Sequence, residues 1–252
     1  ENLLGEVGRG HVIAFNILNI GRYKLGVGTV GASKRAFELT VAYTNQRQQF
    51  KTPISSFNLT KEKLSTMAAR LYASESLIYR TVGYFEDRMS QLSAEEQKDG
   101  KAIAASIAEY AIECSINKVF GTEVLDYIAD EAVQLHGGYG FMQEYEVERI
   151  YRDSRINRIF EGTNEVNRLL IPGNALKAAA KGAFDLEAAA TQAVDEMQTP
   201  EVPYIGTLAR ETEAVRSMRR VFLSTLGLAA KSCGAGIGEE QEALLKLADL
   251  AI

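Results

Sequence analysis

The spacing of apolar residues is the feature that most constrains how this chain can fold. From about residue 10 to residue 47, apolar side chains recur every three or four positions, and a second such stretch runs from about residue 59 to residue 89. Thr52-Pro53 separates the two stretches, as a proline should. No sustained alternation with a period of two occurs along the chain. The pattern therefore predicts an all-α protein built from long helices.

Shorter helices are expected in the next part of the chain. We predict one over about residues 101–120, a shorter one ending near His136, one over 147–155 and one over 164–180. Gly121-Thr122-Glu123 is predicted to separate the first two of these. Long helices with short connections favour an antiparallel bundle of the four-helix type. Residues 1–180 are therefore interpreted as one bundle domain.

Residues 185–252 are predicted to form an additional helical segment at the C-terminal side of the bundle. Met197 to Pro203 contains two prolines and is interpreted as a linker. One amphipathic helix is predicted from the spacing of Val215, Met218, Phe222 and Leu226. Its apolar face is expected to pack in a core rather than to lie on a membrane. The glycine-rich residues 234–238 are interpreted as a flexible turn.

Composition excludes several classes of function. The net charge of −5 and the scattered basic residues give no electrostatic support for a nucleic-acid partner. Two cysteines far apart and two histidines, neither preceded by Glu three positions earlier, do not form a zinc site or a carboxylate-bridged di-metal bundle. No metal is therefore expected. No apolar run approaches the ~20 residues that cross a bilayer.

Three glycines in four residues form the first candidate ligand-binding motif. Gln134-Leu135-His136 is followed by Gly137-Gly138-Tyr139-Gly140-Phe141. Glycines after a helix let the backbone approach a ligand closely and expose amides to an anion. Glycine also ends helices for purely structural reasons, and for this motif alone the structural reading is favoured.

Glu161 is the candidate catalytic group. It stands in Arg158-Ile159-Phe160-Glu161-Gly162-Thr163, between bulky apolar residues and a glycine. A carboxylate that is held away from water becomes a stronger base. In the competing interpretation Thr163 or Asn164 caps the next helix and Glu161 is only nearby. For this segment taken alone, the competing interpretation is favoured.

Taken together, these segments resemble the signature of the acyl-CoA dehydrogenase family. The signature comprises Gln-x-x-Gly-Gly-x-Gly-Phe, then Arg152-Asp153, then Phe-Glu-Gly-Thr-Asn. Residues 1–5 followed by Gly8-Arg9-Gly10 resemble that family's junction between its β-domain and its C-terminal helices. The segment Arg47-Gln48-Gln49-Phe50 is similar to the element that ends the family's first bundle helix. The resemblance covers roughly residues 1–180.

This resemblance implies a flavin enzyme that oxidises acyl-CoA to trans-2-enoyl-CoA in fatty-acid β-oxidation. Glu161 would take the α-proton while the β-hydrogen leaves as a hydride to FAD, and the backbone N–H of Glu161 would donate to the thioester carbonyl. Asn19, Arg22 and Gly162 match substrate-contacting positions, although relatives often have Asp in place of Asn19. Some relatives place the base immediately before the arginine, where this chain has Gly21. Glu161 is therefore the matching base.

A second set of positions matches residues that contact FAD. These positions are Arg47, Phe50, Ile54, Phe57, Gln134, Gly137, Gly138, Thr163 and Glu165. The resemblance implies that Arg47 and Phe50 reach FAD bound mainly to the neighbouring subunit, with Arg47 pairing with the pyrophosphate. Relatives often have Gln in place of Glu165. The implied partners are acyl-CoA, a second copy of the chain in a dimer or tetramer, and electron-transferring flavoprotein as acceptor.

The very-long-chain branch of the family is the most similar one. The run from Asn16 to Arg22, Phe160 before the glutamate and the helical extension carry this likeness. That branch uses its extension in dimer contacts or membrane association. Family members bind flavin between these helices and two further domains, so residues 1–252 alone are expected to be colourless and inactive. The expected location is the cytoplasm for a bacterial protein and the mitochondrial matrix for a eukaryotic one.

A non-catalytic bundle is the alternative function. A helical module for oligomerisation or interaction would explain the helices. It would not explain why the glycine motif and the Phe-Glu-Gly-Thr motif occur together at this spacing.

Overall fold

The computed structural model describes residue 3, residues 5–199 and residues 205–252. This part of the chain forms two compact units, Glu1–Asn164 and Glu165–Ile252, which are described separately. Glu1, Asn2 and Leu4 of the junction-like segment lie outside the described residues, as do residues 200–203 of the predicted linker. The division falls inside the predicted bundle domain 1–180, and the predicted boundary near residue 180 stays a prediction.

Helices dominate both units, which confirms the predicted all-α class. The helices are α1 (Gly10–Gln46), α2 (Asn58–Ser90), α3 (Gly100–Ala108), α4 (Ala111–His136), α5 (Glu146–Ile156), α6 (Asn164–Ala180), α7 (Leu186–Gln198), α8 (Ala209–Cys233) and α9 (Gln241–Ala251). Short 3₁₀ turns occur at Ile54–Ser56, Glu96–Lys98, Gly137–Phe141 and Gly234–Glu239. Two-residue strands, β1 (Gln48–Gln49) and β2 (Thr52–Pro53), pair as an antiparallel hairpin between α1 and α2.

The predicted break at Gly121 is wrong. The chain breaks instead at Glu109-Tyr110, and Gly121 lies buried within α4. A Cβ at Gly121 would lie 2.6 Å from Thr29 Oγ1, so this glycine allows α4 to approach α1 closely. Glycine at this position serves helix packing rather than helix termination.

Helices α1, α2 and α4 form the core of the first unit. Gly26 of α1 lies against Asn117 of α4, and Tyr43 lies against His136, so these two helices run parallel. Helix α2 runs antiparallel to α4, because Thr81 accepts a hydrogen bond from Asn117 at 2.7 Å whereas Lys63 pairs with Glu131 near the other end. The buried apolar cluster between the helices comprises Val30, Ala36, Met67, Leu71, Ile78, Val124, Ile128, Ala132 and Val147.

In the second unit, α7 packs antiparallel to α8. Gly227 of α8 lies against Ala190 of α7, and Arg220 Nε donates to Glu196 Oε2 at 3.1 Å. Leu226 is fully buried, but Val215 and Met218 of the predicted apolar face are exposed. The expectation that this whole face packs in a core is therefore wrong for its N-terminal part.

One stretch of the second unit, Ala209–Glu239, is long and apolar enough to cross a membrane by length and composition alone. This finding corrects the prediction that no apolar run approaches that length. Only 6% of its apolar window is buried, so the stretch differs from the core helix of a globular protein, and the finding rests on length and composition. The stretch also contains Lys231 and ends in the 3₁₀ turn that begins at Gly234, where φ is +52°.

Candidate active site

Glu161 lies in a tight turn that follows α5 and leads into α6. The turn is closed by the Asn164 backbone N–H, which donates to the Arg158 carbonyl at 3.0 Å. Glu161 has φ of +58° and Gly162 has φ of +79°. A left-handed conformation is natural for glycine but costs a residue with a side chain on the order of 1 kcal/mol or more. Such a conformation persists only where surrounding contacts hold it.

Arg22 of α1 supplies one of these contacts. Its Nε donates to the Glu161 carbonyl oxygen at 3.3 Å, and its Nη1 donates to Asn19 Oδ1 at 3.0 Å. Both Asn19 and Arg22 are buried. Burial lowers the pKa of Arg22 below its ordinary value, while Cys114 and Glu161 act in the opposite direction. An arginine remains charged under such conditions, so a buried cation lies beside the turn.

Gly21 lets the Glu161 side chain lie against α1. A Cβ at position 21 would lie 2.8 Å from Glu161 Cδ and 3.0 Å from Oε1, closer than a real side chain permits. The partly exposed carboxylate therefore occupies the space that a side chain at position 21 would need. Asn19, Gly21, Arg22, Glu161 and Gly162 are called the carboxylate cluster below.

Cys114 of α4 is buried close to Arg22, although sequence reasoning gave it no role. Burial, with a smaller contribution from Glu113, raises the pKa of its thiol to about 12. Cys114 is therefore a neutral thiol at physiological pH, which lines the cluster without adding charge.

Five of the residues matched to FAD contacts line one open groove of about 480 Å³. These residues, called the glycine groove below, are Arg47, Ile54, Gln134, Gly137 and Gly138. A Cβ at Gly137 or at Gly138 would meet no atom within 4 Å, so the backbone of this loop is open to a ligand.

Phe50 and Phe57 lie beside this groove. Phe50 is in the loop of the hairpin, and Phe57 is the residue directly before α2. Phe50 is 88% exposed, and the centre of its ring lies 6.3 Å from that of Phe57 in an edge-on arrangement. Phe50 and Lys51 both have positive φ, as the two central residues of a tight two-residue hairpin loop require.

Aromatic residues support the glycine groove. The Tyr43 ring stacks on His136 at 4.1 Å, and its hydroxyl donates to the His136 carbonyl at 3.2 Å. His136 Nδ1 donates to the Ala132 carbonyl at 2.7 Å, which fixes the tautomer because a carbonyl can only accept. Burial lowers the pKa of His136. Sequence reasoning missed Tyr43, although its spacing of four residues from Arg47 places both on one face of α1.

The carboxylate cluster and the glycine groove lie far apart. Arg22 and Arg47 are separated by 25 residues, and α1 spans nearly all of them, so about 37 Å separates them at about 1.5 Å per residue. Thr163 lies within the Glu161 turn, and Glu165 is exposed in the first turn of α6, in the second unit. The predicted site residues therefore form two groups rather than one. Among the described residues, no group of three or more His, Cys, Asp or Glu could hold a metal ion.

Comparison with known proteins identifies the family. The model for the acyl-CoA dehydrogenase C-terminal domain matches residues 8–176. A probable acyl-CoA dehydrogenase of Bacillus subtilis is 64% identical over 252 residues, which cover 99% of this chain and 42% of that protein. The mitochondrial very long-chain specific acyl-CoA dehydrogenase of Rattus norvegicus is 40% identical over 171 residues, covering 68% of this chain and 23% of that protein.

A solved structure agrees with the sequence comparisons. Acyl-CoA dehydrogenase from Bacillus anthracis, solved as a complex with FAD, superposes with a TM-score of 0.97 at 62% identity over 99% of this chain and 43% of that one. The chain thus spans less than half the length of these relatives. With the family model matched along most of its length, the chain belongs to the acyl-CoA dehydrogenase family, and it carries that family's C-terminal domain.

Proposed function

We propose that this chain is the C-terminal helical part of a flavin-dependent dehydrogenase that oxidises acyl-CoA to trans-2-enoyl-CoA in fatty-acid β-oxidation. Glu161 is the base that removes the α-proton. The single observation that carries this proposal is the placement of Glu161, with its carboxylate against Gly21 and its backbone held by buried Arg22. A non-catalytic module would not need a glutamate held in a left-handed conformation.

Each residue of the carboxylate cluster has its own proposed role. Glu161 takes the proton at its carboxylate, and its backbone N–H stabilises the negative charge that develops on the thioester oxygen. Arg22 fixes that backbone through the Glu161 carbonyl, and Asn19 orients Arg22. Gly162 lets the substrate lie against the main chain, because no side chain intervenes.

The glycine groove fits FAD. Arg47 offers a cation suited to a pyrophosphate, Ile54 offers an apolar surface, and the open amides around Gly137 and Gly138 can donate to an anion. Gln134 adds an amide, and Phe50, Phe57, Thr163 and Glu165 are the remaining proposed contacts. The chemistry that bound FAD would supply is acceptance of the hydride that leaves the substrate β-carbon.

A second copy of the chain is part of the proposed enzyme. The glycine groove lies about 37 Å along α1 from the carboxylate cluster, whereas hydride transfer needs reacting atoms roughly 3–3.5 Å apart. This separation supports a homo-oligomer in which the groove of one copy holds FAD that serves the carboxylate cluster of another. Electron-transferring flavoprotein is the proposed acceptor, and the proposed location is the bacterial cytoplasm or the mitochondrial matrix.

Substitution Glu161→Gln in a full-length enzyme that carries this domain tests the proposal. The amide keeps the shape of the side chain but cannot take a proton, so turnover of saturated acyl-CoA should fall by at least about 1,000-fold while the flavin absorption band is retained. Turnover should be measured over a range of chain lengths with an artificial electron acceptor.

Glu95→Gln is the matched control, because Glu95 is an exposed glutamate in the loop between α2 and α3. This variant should retain wild-type turnover. Glu161→Gln with more than about a tenth of wild-type turnover would remove Glu161 as the base.

A further inference from the structure

Lys118 is a fully buried charged residue on α4, 0% exposed, which the proposed reaction does not use. Its Nζ donates to Asn164 Oδ1 at 2.5 Å. Moving an ammonium group out of water is costly unless the protein supplies partners for it. A methionine or leucine would fill the same space between helices at a lower cost in desolvation, so packing alone does not account for a lysine here.

Asn164 is the residue that closes the turn carrying Glu161. Its backbone N–H donates to the Arg158 carbonyl at 3.0 Å, and its side chain lies in a compact network on α4. Asn164 Nδ2 donates to Thr122 Oγ1 at 3.1 Å and to Glu123 Oε1 at 3.0 Å. Lys118 therefore contacts the side chain of a residue whose backbone closes the turn.

The Glu161 turn is thus held from two sides inside the first unit. Arg22 of α1 holds the Glu161 carbonyl, and α4 holds Asn164 through Lys118 and Thr122. A turn with two consecutive left-handed residues needs such contacts to keep one conformation. Loss of either side would let the carboxylate move, and displacements of about 1 Å in a catalytic group can lower rates about 100-fold.

We propose that Lys118 is a positioning residue for Glu161, acting through Asn164. The inference rests on the proposed function, since it assigns Lys118 to the step that Glu161 performs. Lys118 touches neither substrate nor flavin in this role. Its ammonium fixes the Asn164 side chain, which fixes the end of the turn, and the turn fixes the carboxylate beside Gly21.

Exchange of the substrate α-proton with solvent distinguishes a positioning role of Lys118 from a purely structural one. In a full-length, flavin-loaded enzyme in D₂O without an electron acceptor, deuterium enters the α-carbon of a saturated acyl-CoA each time the base removes and returns a proton. The rate per flavin, followed by mass spectrometry, reports how often the α-proton is removed and returned, without any later transfer of electrons to an external acceptor. A purely structural lysine would lower the unfolding temperature and leave this rate unchanged.

Lys118→Met is the decisive variant, because it keeps length and apolar volume and removes the charge. We expect the exchange rate and kcat to fall at least about 10-fold while KM changes less than about threefold and flavin stays bound. Lys63→Met is the matched control, since Lys63 on α2 pairs with Glu131 at 2.7 Å outside this network, and it should exchange at the wild-type rate.

Thr122→Val provides a milder variant should Lys118→Met lose its flavin. It removes only the hydroxyl that contacts Asn164, and a several-fold fall in exchange is expected. If either variant retains its flavin and still exchanges the α-proton at the wild-type rate, the inference is overturned. If Glu161→Gln also exchanges at the wild-type rate, the proposed function itself fails; if Glu161→Gln abolishes exchange, only the role of Lys118 fails.

Discussion

The two ends of α1 carry different kinds of binding surface. Near its beginning, Asn19 and Arg22 are buried and bonded to each other and to the Glu161 turn. At its end, Arg47 is exposed and lies 5.8 Å from the Tyr139 ring, while Phe50 extends outward on the hairpin. The first end is ordered by contacts within the chain, and the second presents cationic, apolar and backbone groups at an open surface.

This difference teaches what each end can do. A catalytic base must be placed to within a fraction of an ångström, which requires rigid contacts of its own. A surface that holds an extended anionic cofactor gains affinity from several separate contacts and tolerates more variation in each. Changes at the carboxylate cluster should therefore affect the rate, and changes at the glycine groove should affect flavin affinity.

Among changes outside the proposed base itself, Gly21→Ala should have the largest effect. The added methyl would lie 2.8 Å from Glu161 Cδ, so the carboxylate must move. We expect kcat to fall about 100-fold with flavin still bound. Gly28→Ala, on the same helix with nothing within 4 Å of the added methyl, should leave kcat unchanged. Equal kcat in both variants would show that the contact with Gly21 does not position the base.

Arg47→Met should act on flavin affinity instead. A charged hydrogen bond contributes roughly 1.5–3 kcal/mol, so the Kd for FAD should rise about 10- to 100-fold. The rate per bound flavin should be little changed. Arg70→Met is the control, because Arg70 is also exposed and lies 4.0 Å from the ring centre of Tyr127. If Arg47→Met lowers the rate per bound flavin and leaves the Kd for FAD unchanged, the two ends of α1 do not differ in the way described.

His136 should produce the smallest effect, on stability against pH. Burial holds its pKa below the ordinary value of 6.5 in the folded state. The unfolded chain therefore binds the proton first, so this contribution is complete above about pH 6.5 and is lost as pH falls below it. Thermal unfolding at about pH 7.5 and about pH 5.5 should show a smaller difference for His136→Phe than for the wild type.

His11→Phe serves as the control for that measurement, since His11 is exposed at the start of α1. It should keep the wild-type difference between the two pH values. If His136→Phe shows the same change in unfolding temperature between the two pH values as the wild type, the stability of the fold does not depend on a neutral imidazole at position 136.

Much of the fold follows from the sequence, because long apolar periodicity and a proline mark α1 and α2 within one residue of their observed ends. The break between α3 and α4 does not follow. Glu109-Tyr110 contains no glycine or proline, whereas Gly121 looks like a helix end and in fact lies where α1 and α4 cross closely. The role of such a glycine depends on a residue 92 positions earlier, Thr29, and only tertiary structure brings the two together.

The site shows a similar limit. Motifs of adjacent residues predicted Glu161, Gly137 and Gly138 as site residues through their resemblance to a family. Lys118 was missed because a single lysine on a helix normally faces water. The available signal was the set of neighbours three and four positions away on α4, which are small and uncharged: Cys114, Ser115, Gly121 and Thr122.

The left-handed backbone at Glu161 has an evolutionary consequence. Glycine or asparagine adopts that conformation more readily than glutamate, so either substitution would relieve strain on the order of 1 kcal/mol. If the proposed reaction is what requires glutamate here, relatives that lack this reaction should more often have one of those two residues at this position. Glutamate in this conformation is what the proposed proton transfer would require, because folding alone favours the other two residues.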